Sequence, residues 1–225
     1  MSISESDESD SITYKIILIG DSSVGKTCLF KKLTAGTYSD KNISTIGVDR
    51  KSFTLKVKIN ENGEEIEKTF QIHLWDTAGQ ERFRSITKVY FKESQGLLLM
   101  YDITNKESFD NLDKWINGVK DSLGEDDYDK KNNDIKYIII LLGNKLDLAV
   151  NDERKVTTEE AIELCKKFDI IWGGECSAKD FTIDDLKKKF EEYTKEIYNK
   201  IGNNIGRKDT AKLVESEQKK SKCGC

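Results

Sequence analysis

The strongest constraint on this chain is a glycine-rich octapeptide between an apolar segment and a helix-forming segment. Residues 20–27 read Gly-Asp-Ser-Ser-Val-Gly-Lys-Thr and follow the apolar run 14–19, which is the pattern G-x-x-x-x-G-K-[ST] in a strand-to-helix context. Its two glycines let the backbone wrap tightly, so that successive N–H groups point at phosphate oxygens. The alternative is an ordinary glycine turn, but the Lys-Thr pair after a strand favours a phosphate-binding loop.

Two side chains and a helix terminus complete the chemistry of this loop. Lys26 supplies a mobile positive charge for the outer phosphates, and the Thr27 hydroxyl is a hard oxygen ligand of the kind that Mg²⁺ prefers. The helix that begins near Gly25 adds the positive end of its dipole. The loop therefore predicts a nucleoside triphosphate as the ligand.

A second motif indicates which base is bound. Asn144-Lys145-Leu146-Asp147 follows the apolar run 137–142, and the Asp carboxylate can accept hydrogen bonds from N1–H and the N2 amino group of guanine. Adenine has neither donor, and a site built for such hydrogen bonds can reject the wrong partner by ~10⁴ or more. Alone, these four residues are typical of any polar loop. About 120 residues after a phosphate loop, they indicate a guanine nucleotide.

A third motif lies between these two, at the end of another apolar run. It reads Trp75-Asp76-Thr77-Ala78-Gly79-Gln80-Glu81. Asp76 can hold the hydration shell of a metal ion, and the Gly79 N–H can reach a γ-phosphate. Gln80 carries both a donor and an acceptor for orienting an attacking water. The motif predicts Gln80 as the catalytic residue.

Together these motifs resemble the Rab family of Ras-superfamily small GTPases, over roughly residues 14–201. Ras, Rho and Ran relatives share the nucleotide motifs, whereas I-G-V-D, W-D-T-A-G-Q-E-R-F and the terminal Cys-Gly-Cys point to Rab. The resemblance implies hydrolysis of GTP to GDP and phosphate by a membrane-anchored switch that controls vesicle and protein transport. The stretches that carry the resemblance are 20–27, 44–49, 75–83, 101–104, 143–148 and 175–179.

The resemblance also assigns individual residues to the site. It implies that Thr45 ligates Mg²⁺ together with Thr27 and Asp76, and that Tyr38 lies against the guanine. GTP, GDP and Mg²⁺ are the implied ligands. The implied nucleotide-binding residues are Gly20, Asp21, Ser22, Ser23, Val24, Gly25, Lys26, Thr27, Cys28, Tyr38, Thr45, Asp76, Gly79, Asn144, Lys145, Asp147, Ser177, Ala178 and Lys179.

Two segments become nucleotide-dependent switches under this interpretation. Residues 38–49 by themselves read as a polar connection, but the resemblance makes them the first switch and residues 76–91 the second. Both would close onto the γ-phosphate and relax when it leaves. The partners implied are an exchange factor, a GTPase-activating protein, effectors, and a Rab escort protein or GDI.

One residue departs from the family pattern and keeps a second hypothesis open. Arg50 stands where Rab proteins usually carry a Phe that helps to build an apolar surface for effectors. The chain would then be a GTP-bound interaction module with atypical effectors and little hydrolysis. Gln80, Thr45 and the intact phosphate loop favour the switch.

The hydrophobic pattern predicts an α/β fold. Apolar runs alternate with helical patterns, which indicates βαβ units and a mainly parallel sheet. Runs that alternate in polarity from Phe53 and from Phe70, joined through Asn62-Gly63, predict an antiparallel hairpin at the sheet edge. With the resemblance, this implies a P-loop NTPase small G domain with a mixed six-stranded sheet, one antiparallel edge strand and about five helices. Three helical stripes are predicted as core: Phe109, Leu112, Ile116, Val119 and Leu123; Ala161, Leu164, Cys165 and Phe168; Ile183, Leu186, Phe190, Tyr193 and Ile197.

Length and composition predict one domain with two tails. A chain of 225 residues can bury one good core, which we expect over residues 13–201. Residues 1–12 are rich in Ser, Asp and Glu and are expected to be disordered, and residues 202–225 are expected to form a flexible tail. The charged segment 125–133 is predicted to be a solvated loop.

Charge and cysteine content exclude several other functions. A net charge of −4 gives no indication of nucleic-acid binding, and no run approaches the ~20 apolar residues of a membrane span. Five cysteines at irregular spacings indicate reduced cytosolic thiols rather than a disulfide framework.

The C-terminus, Lys222-Cys223-Gly224-Cys225, predicts a lipid anchor. It is not a C-a-a-X motif, because only two residues follow Cys223, but it resembles the Rab pattern in which both cysteines are geranylgeranylated. The alternative is two free thiols on a frayed tail. Two lipid chains give stable anchoring to a membrane, whereas one gives only marginal binding. We therefore expect Cys223 and Cys225 to hold the protein on the cytoplasmic face of intracellular membranes, with an extractable cytosolic pool.

Overall fold

A computed structural model describes most of the globular part of the chain. The residues described are 11–38, 45, 47–77, 90–123, 128–129, 134–135, 137–151 and 153–201. Residues 1–10 of the expected tail 1–12, the expected tail 202–225, most of both switches and much of the 125–133 segment lie outside this set. Ile12, the last residue of the expected N-terminal tail, is the first residue of a strand.

The elements alternate along the chain as the pattern predicts. The strands are β1 (Ile12–Ile19), β2 (Val48–Glu61), β3 (Glu64–Thr77), β4 (Gly96–Asp102), β5 (Tyr128–Asp129), β6 (Asp134–Ile135), β7 (Ile138–Asn144) and β8 (Ile171–Glu175). The helices are α1 (Lys26–Ala35), α2 (Lys106–Asp110), α3 (Leu112–Leu123), α4 (Thr158–Phe168) and α5 (Ile183–Ile201), with a 3₁₀ helix at Leu146–Asn151.

Six strands form one mixed sheet in the order β2-β3-β1-β4-β7-β8. Only β2 and β3 pair antiparallel, and the other neighbours are parallel. The predicted fold class is thus confirmed, with five α-helices in the described part of the chain. Every residue of β4 and β7 is buried, as continuously apolar strands covered on both faces should be.

The edge hairpin follows the alternating pattern. Leu55, Val57 and Ile59 are buried on one face of β2, and the lysines between them are exposed. The turn residues Asn62 and Gly63 both have positive φ, 55° and 90°, which two-residue hairpin turns require. The prediction of an antiparallel hairpin at the sheet edge is confirmed.

One prediction about a connection was wrong. The charged segment predicted to be a loop contains β5, which pairs antiparallel with β6 just beyond it. Tyr128 lies opposite Ile135, and Asp129 lies opposite Asp134. Strands of two residues leave no periodicity in a sequence, so the alternation of polarity could not reveal them.

Helices cover both faces of the sheet, so the hydrophobic core has two halves, one on each face. One half packs α1 and α5 against the sheet through residues such as Leu29 and Phe190. The other half packs α2, α3 and α4 through residues such as Phe109, Trp115 and Ala161. The helical stripes predicted as core are mostly buried, whereas Leu164, Phe168 and Ile183 are only partly so.

Arg50 occupies an unexpected environment at the start of β2. Its guanidinium carbon lies 5.7 Å from the centre of the Trp75 ring, and the Lys15 Nζ lies 5.0 Å from the same ring. The Tyr90 ring packs against Trp75 at a centroid distance of 5.6 Å, with the two ring planes tilted by 43°. At this position the chain therefore carries two cations around an indole, where a third aromatic ring was expected from the family pattern.

None of the described helices has both the length and the apolar character needed to cross a bilayer.

A bidentate ion pair ties β8 to the segment before α4. Arg154 donates from Nη1 and Nη2 to the two carboxylate oxygens of Glu175, both at 2.7 Å. The Thr158 hydroxyl adds a third hydrogen bond at 3.1 Å. Hydrogen bonding to Arg154 lowers the pKa of Glu175, although burial of the carboxylate opposes this.

We expect Glu175→Gln to lower the free energy of unfolding by about 2 kcal/mol at pH 7, a typical value for hydrogen bonds to a charged group. Because the pKa of Glu175 is lowered in the folded state, its contribution is complete above the ordinary pKa of 4.5 and is lost as the pH falls through the folded pKa. Urea unfolding of both proteins from pH 7 to pH 3 measures the difference. If the difference in free energy of unfolding between the two proteins stays constant from pH 7 to pH 3, the contribution of the Glu175 carboxylate is not the one inferred here.

A matched control is Asp113→Asn, which breaks the exposed pair with Lys167 at 2.9 Å. Exposed ion pairs contribute about 0–1 kcal/mol, so the free energy of unfolding of this variant should be close to that of the wild type.

Candidate nucleotide-binding site

The loop between β1 and α1 has the backbone conformation that its glycines suggest. Gly20 and Gly25 have φ values of 133° and 100°, which side chains rarely allow. A Cβ atom on Gly20 would lie 2.2 Å from the carbonyl oxygen of Met100, and one on Gly25 would lie 2.2 Å from Asn144 Nδ2. Both positions therefore require glycine, for conformation and for space.

Lys26 lies buried in the mouth of this loop. Its ammonium donates to the carbonyl oxygens of Gly20, at 2.8 Å, and Asp21, at 2.6 Å. Burial lowers the pKa of Lys26 to about 8, against an opposing effect of the Asp76 and Asp21 carboxylates. A buried cation that donates to these two neutral carbonyl oxygens is a favourable site for an anion such as phosphate.

Three oxygen-bearing side chains meet beside the lysine. The Thr27 hydroxyl oxygen lies 2.6 Å from Asp76 Oδ2 and 2.6 Å from the Thr45 hydroxyl oxygen. Burial raises the pKa of Asp76, while the hydrogen bond from Thr27 and the charge of Lys26 lower it. The sequence prediction placed these three side chains in one metal site, and the structure brings them into contact.

This cluster fits a magnesium ion. Asp76 Oδ1 is buried and has no hydrogen-bond partner among the residues that the structure describes, and an unsatisfied buried oxygen costs free energy. Carboxylate and hydroxyl oxygens are the hard ligands that Mg²⁺ takes. Thr27, Thr45 and Asp76 are therefore the residues that could hold the ion.

The Asn144 side chain joins the phosphate loop to two other loops. Asn144 lies at the end of β7 and is 2% exposed. Its Nδ2 donates to the Val24 carbonyl oxygen at 2.8 Å, and its Oδ1 accepts from the Ala178 N–H at 3.0 Å. A single amide thus fixes the distance between the loops after β1, β7 and β8.

Asp147 is held in place by the loop after β8. The Ser177 hydroxyl donates to Asp147 Oδ1 at 2.7 Å and accepts from the Asp180 N–H at 2.9 Å. Lys145 has a φ of 71°, and its ammonium lies 2.6 Å from Asp102 Oδ2. These contacts fix the orientation of the carboxylate that is predicted to read guanine.

The remaining predicted site residues fall into two groups. Cys28 and Tyr38 are half-buried, on α1 and just beyond it, and Lys179 is exposed beside Ala178. Gly79, Gln80, Cys223 and Cys225 lie outside the described residues.

Sequence reasoning missed two donors to the phosphate loop. Asn111 Nδ2 donates to Asp21 Oδ2, and Trp115 Nε1 donates to Asp21 Oδ1, both at 2.8 Å. These pairs are 90 and 94 residues apart in sequence, so no local pattern marks them. The α3 stripe indicated only a core.

A phosphate-type loop, an adjacent oxygen cluster and a base-type loop all lie at the carboxyl ends of parallel strands, which defines a P-loop nucleotide-binding protein. A sequence model of the Ras family matches residues 15–199. Human Ras-related protein Rab-8B is 35% identical over 214 residues, 92% of each chain. Ras-related protein Rab-10 of Caenorhabditis elegans is 32% identical over 94% of this chain and 95% of its own. Ras-related protein RIC1 of Oryza sativa subsp. japonica is 39% identical over 84% of this chain and 82% of its own.

The chain therefore belongs to the Ras family and is a small GTPase of the Rab type. Binding of GTP and GDP and GTPase activity are properties of that family. This agrees with the resemblance that the motifs carry.

Proposed function

We propose that this chain is a membrane-anchored switch that hydrolyses GTP to GDP and phosphate and acts in vesicle transport. The observation that carries the proposal is the position of the Asn144 side chain. It joins the loop that fits phosphates to the loop that carries Asp147. One ligand with a triphosphate at one end and guanine at the other would span both.

At the phosphate end, the chain supplies positive charge and donors. The backbone N–H groups of the loop and the Lys26 ammonium would bind the β- and γ-phosphates, and Thr27, Thr45 and Asp76 would hold Mg²⁺. When bound, the metal ion neutralises charge on the β- and γ-phosphates. Gln80 would orient the attacking water. The intact loop favours hydrolysis over the alternative of a GTP-bound module that turns over little.

At the base end, the Asp147 carboxylate would accept hydrogen bonds from the N1–H and the N2 amino group of guanine. The Ser177 hydroxyl, which donates to Asp147 Oδ1, would hold the carboxylate in place. Asn144, Lys145, Ala178 and the loop around it would enclose the ring. This arrangement favours guanine over adenine because adenine lacks both donors.

The γ-phosphate would set the state of both switches. Thr45 lies beside Thr27, and β2 begins at Val48, only three residues later. Closure of the first switch would therefore present the start of β2, including Arg50, in one arrangement. Effectors would bind this arrangement, while an exchange factor, an activating protein and a Rab escort protein or GDI would control the nucleotide and the membrane.

The first test is GTP turnover by the purified chain with Mg²⁺. We expect slow hydrolysis, ~10⁻⁴ to 10⁻² s⁻¹ as in small G domains without a partner, because no arginine lies in the phosphate loop or first switch. A Rab-type activating protein should accelerate it, and Gln80→Leu should block the acceleration without loss of GTP binding. Isolated turnover near 10 s⁻¹ would contradict the proposal. No turnover with an activating protein present would instead support the interaction module.

The second test concerns the base. Asp147→Asn should weaken GTP binding strongly and shift preference to xanthosine triphosphate, because the new amide can donate to the C2 carbonyl of xanthine. Competition between the two nucleotides measures the shift, with the exposed Asp184→Asn on α5 as the matched control. If Asp147→Asn keeps the wild-type preference for GTP, Asp147 does not read the base.

The third test concerns the anchor. Replacing Cys223 and Cys225 by Ser should release the protein from membranes and leave nucleotide binding unchanged. Each buried CH₂ of a lipid chain contributes ~0.8 kcal/mol, which outweighs the attraction of a few basic tail residues to anionic lipid, ~1 kcal/mol each. Membrane fractionation measures the release, and Ser221→Ala, which keeps both cysteines, is the control. If the double variant stays membrane-bound, the anchor lies elsewhere.

A further inference from the structure

We propose that Asn111 and Trp115 are positioning residues for the phosphate loop, acting through the Asp21 side chain and setting how long a bound nucleotide stays. The inference rests on the proposed nucleotide site and adds two residues that no motif assigns. Both lie outside the loops that touch the ligand in that proposal.

The two donors share one face at the junction of α2 and α3. Asn111 and Trp115 are four residues apart, so their side chains project from the same side of the helix. Each donates to a different oxygen of the Asp21 carboxylate, at 2.8 Å. Both oxygens of the Asp21 carboxylate therefore accept a hydrogen bond from this face, which fixes the rotation of the carboxylate as well as its position.

Each donor is itself fixed by its surroundings. Trp115 is 3% exposed and packs in the core half formed by α2, α3 and α4. The Asn111 amide is oriented by Lys114, whose ammonium donates to Asn111 Oδ1 at 2.8 Å, so that Nδ2 faces Asp21. Trp115 is therefore held by core packing and Asn111 by a neighbouring hydrogen bond, and neither donor belongs to the phosphate loop.

Asp21 connects these two donors to the phosphate-binding lysine. The Asp21 side chain is held by Asn111 and Trp115, and its backbone carbonyl oxygen accepts a hydrogen bond from the Lys26 ammonium at 2.6 Å. Loss of these contacts would let the start of the loop move and would remove two hydrogen bonds from a carboxylate beside the site for the phosphates. Both effects weaken binding of a polyanion, since like charges repel and a looser loop loses more entropy when the ligand binds.

Trp115 also fills core volume, so a test must separate its N–H from its ring. Trp115→Phe keeps an aromatic ring in the core and removes the donor. Asn111→Ala removes the other donor at a half-buried position, where little packing is at stake. The matched control is Trp172→Phe, a partly buried tryptophan in β8.

The measurement is release of radiolabelled GDP from the Mg²⁺-loaded full-length protein. We expect Trp115→Phe and Asn111→Ala each to release GDP about tenfold faster, as befits loss of a hydrogen bond to a charged group, and Trp172→Phe to stay within about twofold of wild type. In an Asp21→Ala background, Trp115→Phe should add no further acceleration.

A spectroscopic readout tests the contact itself. The chain has three tryptophans, hence three indole N–H signals in a ¹H–¹⁵N spectrum. Asp21→Ala should move the Trp115 signal and leave those of Trp75 and Trp172 near their wild-type positions. A purely structural role for Trp115 would leave its indole N–H insensitive to the Asp21 carboxylate.

The outcomes separate the two proposals. A wild-type protein that does not bind GDP would defeat the proposed function. If the wild type binds GDP but Trp115→Phe accelerates release equally in the wild-type and Asp21→Ala backgrounds, Trp115 acts through packing alone and the positioning inference is wrong. Unchanged release by both Trp115→Phe and Asn111→Ala would overturn it as well.

Discussion

The candidate site depends on one buried amide. Asn144 reaches Val24, 120 residues earlier, and Ala178, 34 residues later, so segments that are distant in sequence meet at one side chain. Loss of that amide would leave a carbonyl and an N–H without their partners in a buried place, which is costly. The amide is itself placed by β7, which is held between β4 and β8. The geometry of the loops is therefore a property of the sheet.

Hydrophobic periodicity predicted the α/β class and the edge hairpin, because burial imposes that periodicity, whereas the six-stranded small G domain was implied by the family resemblance. The continuously apolar segments became β4 and β7 with every residue buried, and the alternating segments became β2 and β3, joined by a turn with two positive φ values. The short β5–β6 ladder escaped prediction because two residues cannot show a period.

The site was predictable where its chemistry is local and unpredictable where it is not. Lys26 and Thr27 follow a loop whose spacing itself implies phosphate binding, and the structure places Thr45 and Asp76 beside Thr27. Trp115 is not among the residues of the predicted α3 stripe, yet it is 3% exposed, and its indole nitrogen donates to a loop more than ninety residues away. This side chain has two roles, in core packing and in a hydrogen bond, and the predicted stripe marked neither.

The Lys26 ammonium is buried, with the carbonyl oxygens of Gly20 and Asp21 as hydrogen-bond acceptors. Removing a charge from water is unfavourable without a full counter-charge, and a bound phosphate would supply that counter-charge. A nucleotide that binds only the folded state stabilises it by RT ln(1 + [L]/Kd). Under the proposed function, release of the nucleotide would therefore lower the stability of the fold, so the switch and the folding of the chain would be linked.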